Sequence, residues 1–248
     1  FLDLICVGTA TQTEVKEQID LMYSLIHQQV DAIVLVPIDS KALVQPAVEA
    51  VRKGIPVINI DIQLDAQLLE QAGVEVAFVG PDNFAAAYEV GKLLDKKLRN
   101  EDKVAIIEGL AVADNARQRK RGFIKAIEEK GLRLVASEPA DWETEKAAEV
   151  FQAMWMRYPD LKAVYCSNDA MALGVLQQMQ EKKCYLPVVG FDNDAVMKEF
   201  LSTGKLVATA DIFSSQMAVR GIEFALDVLE GRIENRGVHS TAYEIIKQ

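Results

Sequence analysis

The 248-residue sequence is short of the residues that most often do chemistry on a substrate. It has two histidines, His27 and His239, and neither has cysteine or acidic neighbours at metal-ligand spacing. Its three cysteines, Cys6, Cys166 and Cys184, are an odd number with no such spacing, so they do not form a disulfide framework. Cys6 and Cys166 stand inside apolar runs and read as small buried hydrophobes. No G-x-G-x-x-G follows a strand-like run, and neither a G-x-x-x-x-G-K-[ST] loop nor a G-x-S-x-G elbow is present. These absences remove the common nucleotide-dependent enzymes and hydrolases. No run approaches the roughly 18 apolar residues needed to span a bilayer. No charged-then-apolar leader opens the sequence, so any secretion signal is expected to have been removed or to lie outside it. Basic charge is also in short supply. With 27 Lys and Arg against 37 Asp and Glu, the net charge of −10 disfavours nucleic acid as a partner.

What the sequence has is apolar material in a regular order. Half of its residues are hydrophobic and 26% are charged, enough for a real core, and its length exceeds one compact domain of usual size. The runs Leu4-Ile5-Cys6-Val7, Ile33-Val34-Leu35-Val36, Val57-Ile58-Asn59-Ile60 and Val76-Ala77-Phe78-Val79 predict buried strands. Val104-Ala105-Ile106-Ile107, Ala163-Val164-Tyr165-Cys166 and Pro187-Val188-Val189-Gly190 predict three more. Amphipathic stretches separate them. The first aligns Val15, Ile19, Met22 and Ile26 on one stripe, with Thr11 and Glu14 as a candidate capping box. The second opens at Ser40 and stops at Gly54 before Pro56, and Pro46 should kink it or displace its early turns. Strand–helix alternation means parallel sheet with helices on both faces, and the number of units favours two α/β lobes. A weak internal echo agrees: Val79-Gly80-Pro81-Asp82-Asn83 and Val189-Gly190-Phe191-Asp192-Asn193 share a Val-Gly-x-Asp-Asn pattern.

In open parallel sheets ligands bind beyond the carboxyl ends of strands. The polar residues expected there are Asp39, Asp61, Asp82, Asn168, Asp169 and Asp192, with Arg117 early in a following helix. Carboxylates, amides and a guanidinium suit a polyhydroxylated ligand, since a carboxylate accepts from neighbouring hydroxyls while Arg and Asn donate into ring oxygens. Trp142, Phe191 and Phe213 could cover its apolar face. Helix capping competes with ligand contact at Asp39, Asp82 and Asp169, and is favoured there. Asp61 precedes no obvious helix, which favours function; Asp192 stands between the two. Trp155 shares a helical stripe with Phe151 and reads as core. The cluster Arg117, Arg119, Lys120 and Arg121 reads mostly as a solvated face in so acidic a chain.

The segment Ala163-Val-Tyr-Cys-Ser-Asn-Asp-Ala-Met-Ala-Leu-Gly174, followed by Val188-Val-Gly-Phe-Asp192, resembles the type I periplasmic binding superfamily. That superfamily includes transport sugar-binding proteins and lac-repressor-like effector domains. Gly204-Lys-Leu-Val-Ala-Thr209 with Gln216-Met217, and Asp31-Ala-Ile-Val-Leu-Val-Pro37 with Asp39-Ser40, resemble the ribose-type binders. The resemblance implies two doubly wound parallel-sheet lobes joined by a three-stranded hinge, with crossings near residues 99–102, 211–213 and 238–241. The lobes would be residues 1–100 plus 213–239 and residues 101–212 plus 240–248. It implies ligand contacts by Asp61, Arg117, Trp142, Asn168, Phe191 and Asp192, with no catalytic residue, no metal and no cofactor. It further implies a sugar or polyol ligand, a membrane permease or receptor as partner, no nucleic acid, a monomer, and a periplasmic or extracellular location with or without a lipid anchor. A sensor input domain or the effector-binding domain of a transcriptional regulator remains the alternative. Three departures stand out. Ribose-type binders usually place arginine after the first aspartate and glutamine near the second crossover; here Ile62 and Ile212 stand there, which suggests a different or less hydroxylated ligand. The family also begins with a strand and helix ahead of the segment matching residues 4–7, and upstream residues are expected to have been lost.

Overall fold

The computed structural model describes residues 2–247. The chain divides into two compact units. The first takes the residues up to Gly80 with Val112–Asp114 and Ser215–Ser240; the second takes Pro81–Ala111, Asn115–Ser214 and the residues from Thr241 on.

The first unit begins with helix α1 (Val15–His27), strand β1 (Ile33–Leu35), α2 (Val44–Arg52), β2 (Val57–Ile60), α3 (Ala66–Ala72) and β3 (Phe78–Pro81). The second holds α4 (Asn83–Asp95), β4 (Lys103–Glu108), α5 (Asp114–Lys130), β5 (Arg133–Pro139), α6 (Thr144–Arg157), β6 (Ala163–Cys166), α7 (Asp169–Glu181), β7 (Val188–Val189), α8 (Lys198–Ser202) and β8 (Leu206–Asp211). Helix α9 (Ser214–Leu229) and β9 (Val238–Thr241) follow in the first unit, and β10 (Glu244–Lys247) ends in the second.

The first sheet runs β1-β2-β3-β9, with β1, β2 and β3 parallel. Met22 and Ile26 of α1 pack with Val48 of α2 and with Ile33, Leu35 and Val57 of the sheet into one buried cluster. This is the expected stripe of the first amphipathic stretch, and burying it is what makes α1 fold. Helix α9 lies on the sheet where a Cβ on Gly221 would come within 2.8 Å of Ile60 and 3.0 Å of Val34. The regular part of α2 begins at Val44, so Pro46 falls in the first turn, where its missing N–H has no helical partner to lose. Gly54, at φ 85°, takes the left-handed position that ends it. At the start of α1 the carboxylate of Glu14 accepts from the Thr11 amide, but the Thr11 hydroxyl is engaged with Thr13 and caps nothing. Only one leg of the expected capping box forms.

Residues 4–7 are not a strand. Leu4, Ile5 and Val7 are exposed, and so is Cys6, against the expectation that it is buried. An apolar run becomes a strand only when a neighbour completes its hydrogen-bond ladder, and among the described residues none pairs with it.

The second sheet runs β10-β8-β7-β6-β4-β5, parallel except for β10 against β8. Its parallel strands follow the doubly wound order 2-1-3-4-5, with the reversal between β4 and its neighbours β5 and β6. Helix α4 packs in this unit, not in the first lobe as the expected boundary at residue 100 has it. Glycine explains the docking: a Cβ on Gly122 of α5 would meet the Phe84 carbonyl at 2.4 Å, and one on Gly91 of α4 would meet Ala126 at 3.2 Å. The chain changes unit after Gly80, returns to the first unit for Val112–Asp114, and changes again after Ser214 and Ser240.

Candidate functional site

Arg119 is the organising residue of the second unit. Its side chain is 3% exposed, a cost no guanidinium bears without partners. Nε donates to Asn83 Oδ1 at 2.9 Å, and Nη1 donates to the Ser167 carbonyl at 2.8 Å and to Asp192 Oδ1 at 3.4 Å. The guanidinium carbon lies 3.7 Å over the Phe191 ring centre and 5.6 Å from that of Trp142. Trp142, Ser167, Phe191 and Asp192 follow β5, β6 and β7, around the switch point of the second sheet, and Asn83 opens α4. Arginine suits this place because its planar fork stacks on a ring while donating in-plane. These bonds use Nε and Nη1, which leaves Nη2 for a further acceptor.

Three buried polar atoms in this region lack a hydrogen-bond partner among the described residues: Trp142 Nε1, Ser167 Oγ and Asn115 Oδ1. Asn115 stands four residues before Arg119 on the same face of α5. Buried polar atoms without protein partners are rare, and they mark places where a polar ligand or water can bind. The Trp142 ring fits against Gly109 so closely that a Cβ there would lie 2.1–2.3 Å from it.

Backbone strain gathers at strand ends in each unit. Asp61 after β2, Asp141 and Trp142 after β5, Asp192 and Asn193 after β7, and Phe213 after β8 all have positive φ. Such conformations cost energy in non-glycine residues and cluster where function requires them.

In the first unit, the half-buried Asp61 is presented by a turn that Asn59 ties together. Asn59 Nδ2 donates to the carbonyls of Ile62 at 2.8 Å and Leu35 at 3.3 Å, and Oδ1 accepts from the Leu64 amide at 2.7 Å. Ile62 beside it is buried.

The structure brings four of the six expected site residues to the strand ends of the second unit: Trp142, Asn168, Phe191 and Asp192. Asp61 stands at a strand end of the first. The sixth, Arg117, donates from Nη1 to the Ala111 carbonyl. Two residues along a helix turn about 200°, so Arg117 and Arg119 cannot share a face. The signal for Arg119 lay in the helix period: it falls in register with Ala116, Phe123 and Ile127, which are buried. Asn83 was also missed, although the Val-Gly-x-Asp-Asn echo flagged it. The two echoes supply Asn83 and Asp192, and both accept from Arg119.

Capping resolves as follows. Asp39 accepts from the amides of Lys41 and Ala42, and Asp82 caps α4 through Ala85. The cap of α7 is Asn168, whose Oδ1 accepts from Met171, leaving Nδ2 free to donate elsewhere. Asp169, expected as that cap, instead lies fully buried beneath the turn carrying Phe191 and Asp192, and burial pushes its carboxyl up to about 7. Ile212 is buried and Phe213 half-buried. Among the described residues no group of His, Cys, Asp and Glu could hold a metal ion, and no helix is long and apolar enough to cross a membrane.

Residues 3–233 match the profile of the periplasmic binding protein domain. The chain belongs to the periplasmic binding protein family. Within it the chain is of type I and ribose-like. It is 40% identical to the D-ribose/D-allose-binding protein of Pseudomonas aeruginosa over 98% of this chain and 78% of that one. Among solved structures it is similar to an ABC transporter solute-binding protein from Burkholderia multivorans, with an unknown ligand represented as alpha-D-erythrofuranose. The TM-score is 0.95 at 39% identity, covering 99% of this chain and 87% of that one. A periplasmic solute-binding protein from Actinobacillus succinogenes with bound D-allose matches with a TM-score of 0.91 at 30% identity, over 98% and 86% of the two chains.

Proposed function

We propose that this protein captures a monosaccharide or related polyol and delivers it, chemically unchanged, to the membrane permease of an ABC transporter. The observation that carries the reading is the buried Arg119 guanidinium, stacked on Phe191 and bonded to Asp192 at the switch point of a doubly wound sheet. A ring hydroxyl can accept from Arg119 and donate to the Asp192 carboxylate, while Phe191 and Trp142 offer faces to the C–H side of a sugar. Asn168 Nδ2 and the Trp142 indole N–H add donors. In this reading Arg119 joins the ligand contacts that the family resemblance implies.

D-ribose and D-allose are the first ligands to consider, since the relative from Pseudomonas aeruginosa is a D-ribose/D-allose-binding protein. Ile62 and Ile212, where ribose-type binders carry arginine and glutamine, favour a sugar with fewer hydroxyls to satisfy. The protein works as a periplasmic monomer in this account.

Thermal melting against a panel of pentoses, hexoses, deoxy sugars and polyols tests it. A ligand at 100 times its Kd adds about 2.7 kcal/mol to the folded state and moves the midpoint by several degrees. A shift with one sugar, lost in Asp192→Ala, supports the reading; a cooperative melt unmoved by every sugar refutes it.

A further inference from the structure

The turn that carries Phe191 and Asp192 rests on a buried carboxylate. Asp169, at the first position of α7, is fully buried. Its two oxygens accept from the Thr209 hydroxyl at 2.9 and 3.0 Å, and Oδ2 also accepts from the Asp194 amide at 2.9 Å. Its own amide donates to the Phe191 carbonyl at 2.7 Å. Thr209 Oγ1 in turn accepts from the Asn193 amide at 3.2 Å. The fit is tight: a Cβ on Gly190 would lie 2.0 Å from Asp169 Oδ1. Between these anchors Asp192 and Asn193 hold φ of 107° and 58°, a shape that residues with side chains rarely adopt unaided.

We propose that Asp169 is a positioning residue: with Thr209 it clamps residues 191–194 in the strained conformation that sets Phe191 under Arg119 and turns Asp192 towards it. The inference rests on the sugar-binding reading for its purpose, but its geometry stands without a ligand. Charge-assisted bonds to backbone amides are about twice as strong as neutral ones, so the clamp is firmest when Asp169 is ionised. Its ionisation is opposed by burial and by the Asp194 charge, and favoured by the Asp194 amide, the Thr209 hydroxyl and the Phe191 backbone. The other titratable group against it is Cys166 of β6, whose thiol burial holds neutral. Asp192 and Asp211 flank the same turn but are engaged with Arg119 and with Asn193. With the carboxyl at about 7, the clamp loosens as the pH falls through neutrality.

Amide and aromatic NMR spectra of the whole, ligand-free chain from pH 5 to 9 test this. The amides of Asn193 and Asp194 and the ring of Phe191 are expected to move together with one midpoint near 7. In Asp169→Asn, which is isosteric, they should stay near their low-pH positions throughout. In Thr209→Val, which removes a bond favouring the carboxylate, the midpoint should move up. A wild-type turn that does not titrate, or a midpoint untouched by Thr209→Val, overturns the proposal even if Asp169→Asn does not fold. Titration of D-ribose and D-allose into the same samples judges the functional reading separately. Failure of both sugars to bind wild type would sink that reading, while the turn's own titration still decides the role of Asp169.

Discussion

The Arg119 guanidinium carbon lies 3.7 Å above the centre of the Phe191 ring, and the same group is bonded to Asp192, the next residue along. A short strand end thus supplies both a face and a charge to one buried cation. The arrangement fixes the guanidinium plane before any ligand arrives, and preorganisation of this kind lowers the entropic cost of capture.

Phe191→Leu keeps the apolar volume and removes the stack. A desolvated cation–π contact is worth about 2 kcal/mol, so sugar affinity should fall about thirtyfold with little change in the fold. Calorimetric titration of the variant checks it.

Gly109→Ala places a methyl where the Trp142 ring lies, within 2.3 Å. Overpacking of this kind costs about 1–3 kcal/mol, and the cheapest relief is displacement of the indole. The variant should melt a few degrees lower and bind sugar more weakly than its loss of stability explains. Melting and titration on one preparation separate the two effects.

Asn59→Leu tests the turn that presents Asp61. Asn59 is 1% exposed, and its replacement leaves the Leu64 amide without its acceptor. A buried donor left unsatisfied costs about 1–3 kcal/mol. Urea unfolding should report that loss.

The raised pKa of Asp169 has a defined sign in stability. The folded state holds this proton more tightly than the unfolded chain, whose carboxyl has the ordinary value of 3.8. Its favourable contribution is therefore complete below about pH 4 and is lost as the pH rises through about 7. Unfolding midpoints in urea should fall between pH 5 and pH 8, and Asp169→Asn should flatten that decline.

The strands legible in the sequence were those buried on both faces. β1, β2 and β6 fall where Ile33-Val34-Leu35, Val57-Ile58-Asn59-Ile60 and Ala163-Val164-Tyr165-Cys166 put them. The edge strand β5 carries Arg133, Ser137 and Glu138, and β9 carries His239 and Ser240, so neither shows an uninterrupted apolar run. Residues 4–7 show the converse: their pattern is that of a buried strand, but a ladder depends on a neighbour that no local pattern reveals. At the site, aromatic and acidic residues were readable because they directly follow strands. Picking out Arg119 as the buried arginine required the helix phase, and separating Asn168 from Asp169 required knowing which of the two faced the neighbouring turn.

Calorimetric titration of D-ribose and D-allose into the wild-type chain and Arg119→Ala tests the central claim most directly. The account predicts binding of at least one sugar by wild type. It predicts loss of about 2–5 kcal/mol in Arg119→Ala, as expected for removing one partner of a buried charged pair. Full affinity in a folded Arg119→Ala would contradict it.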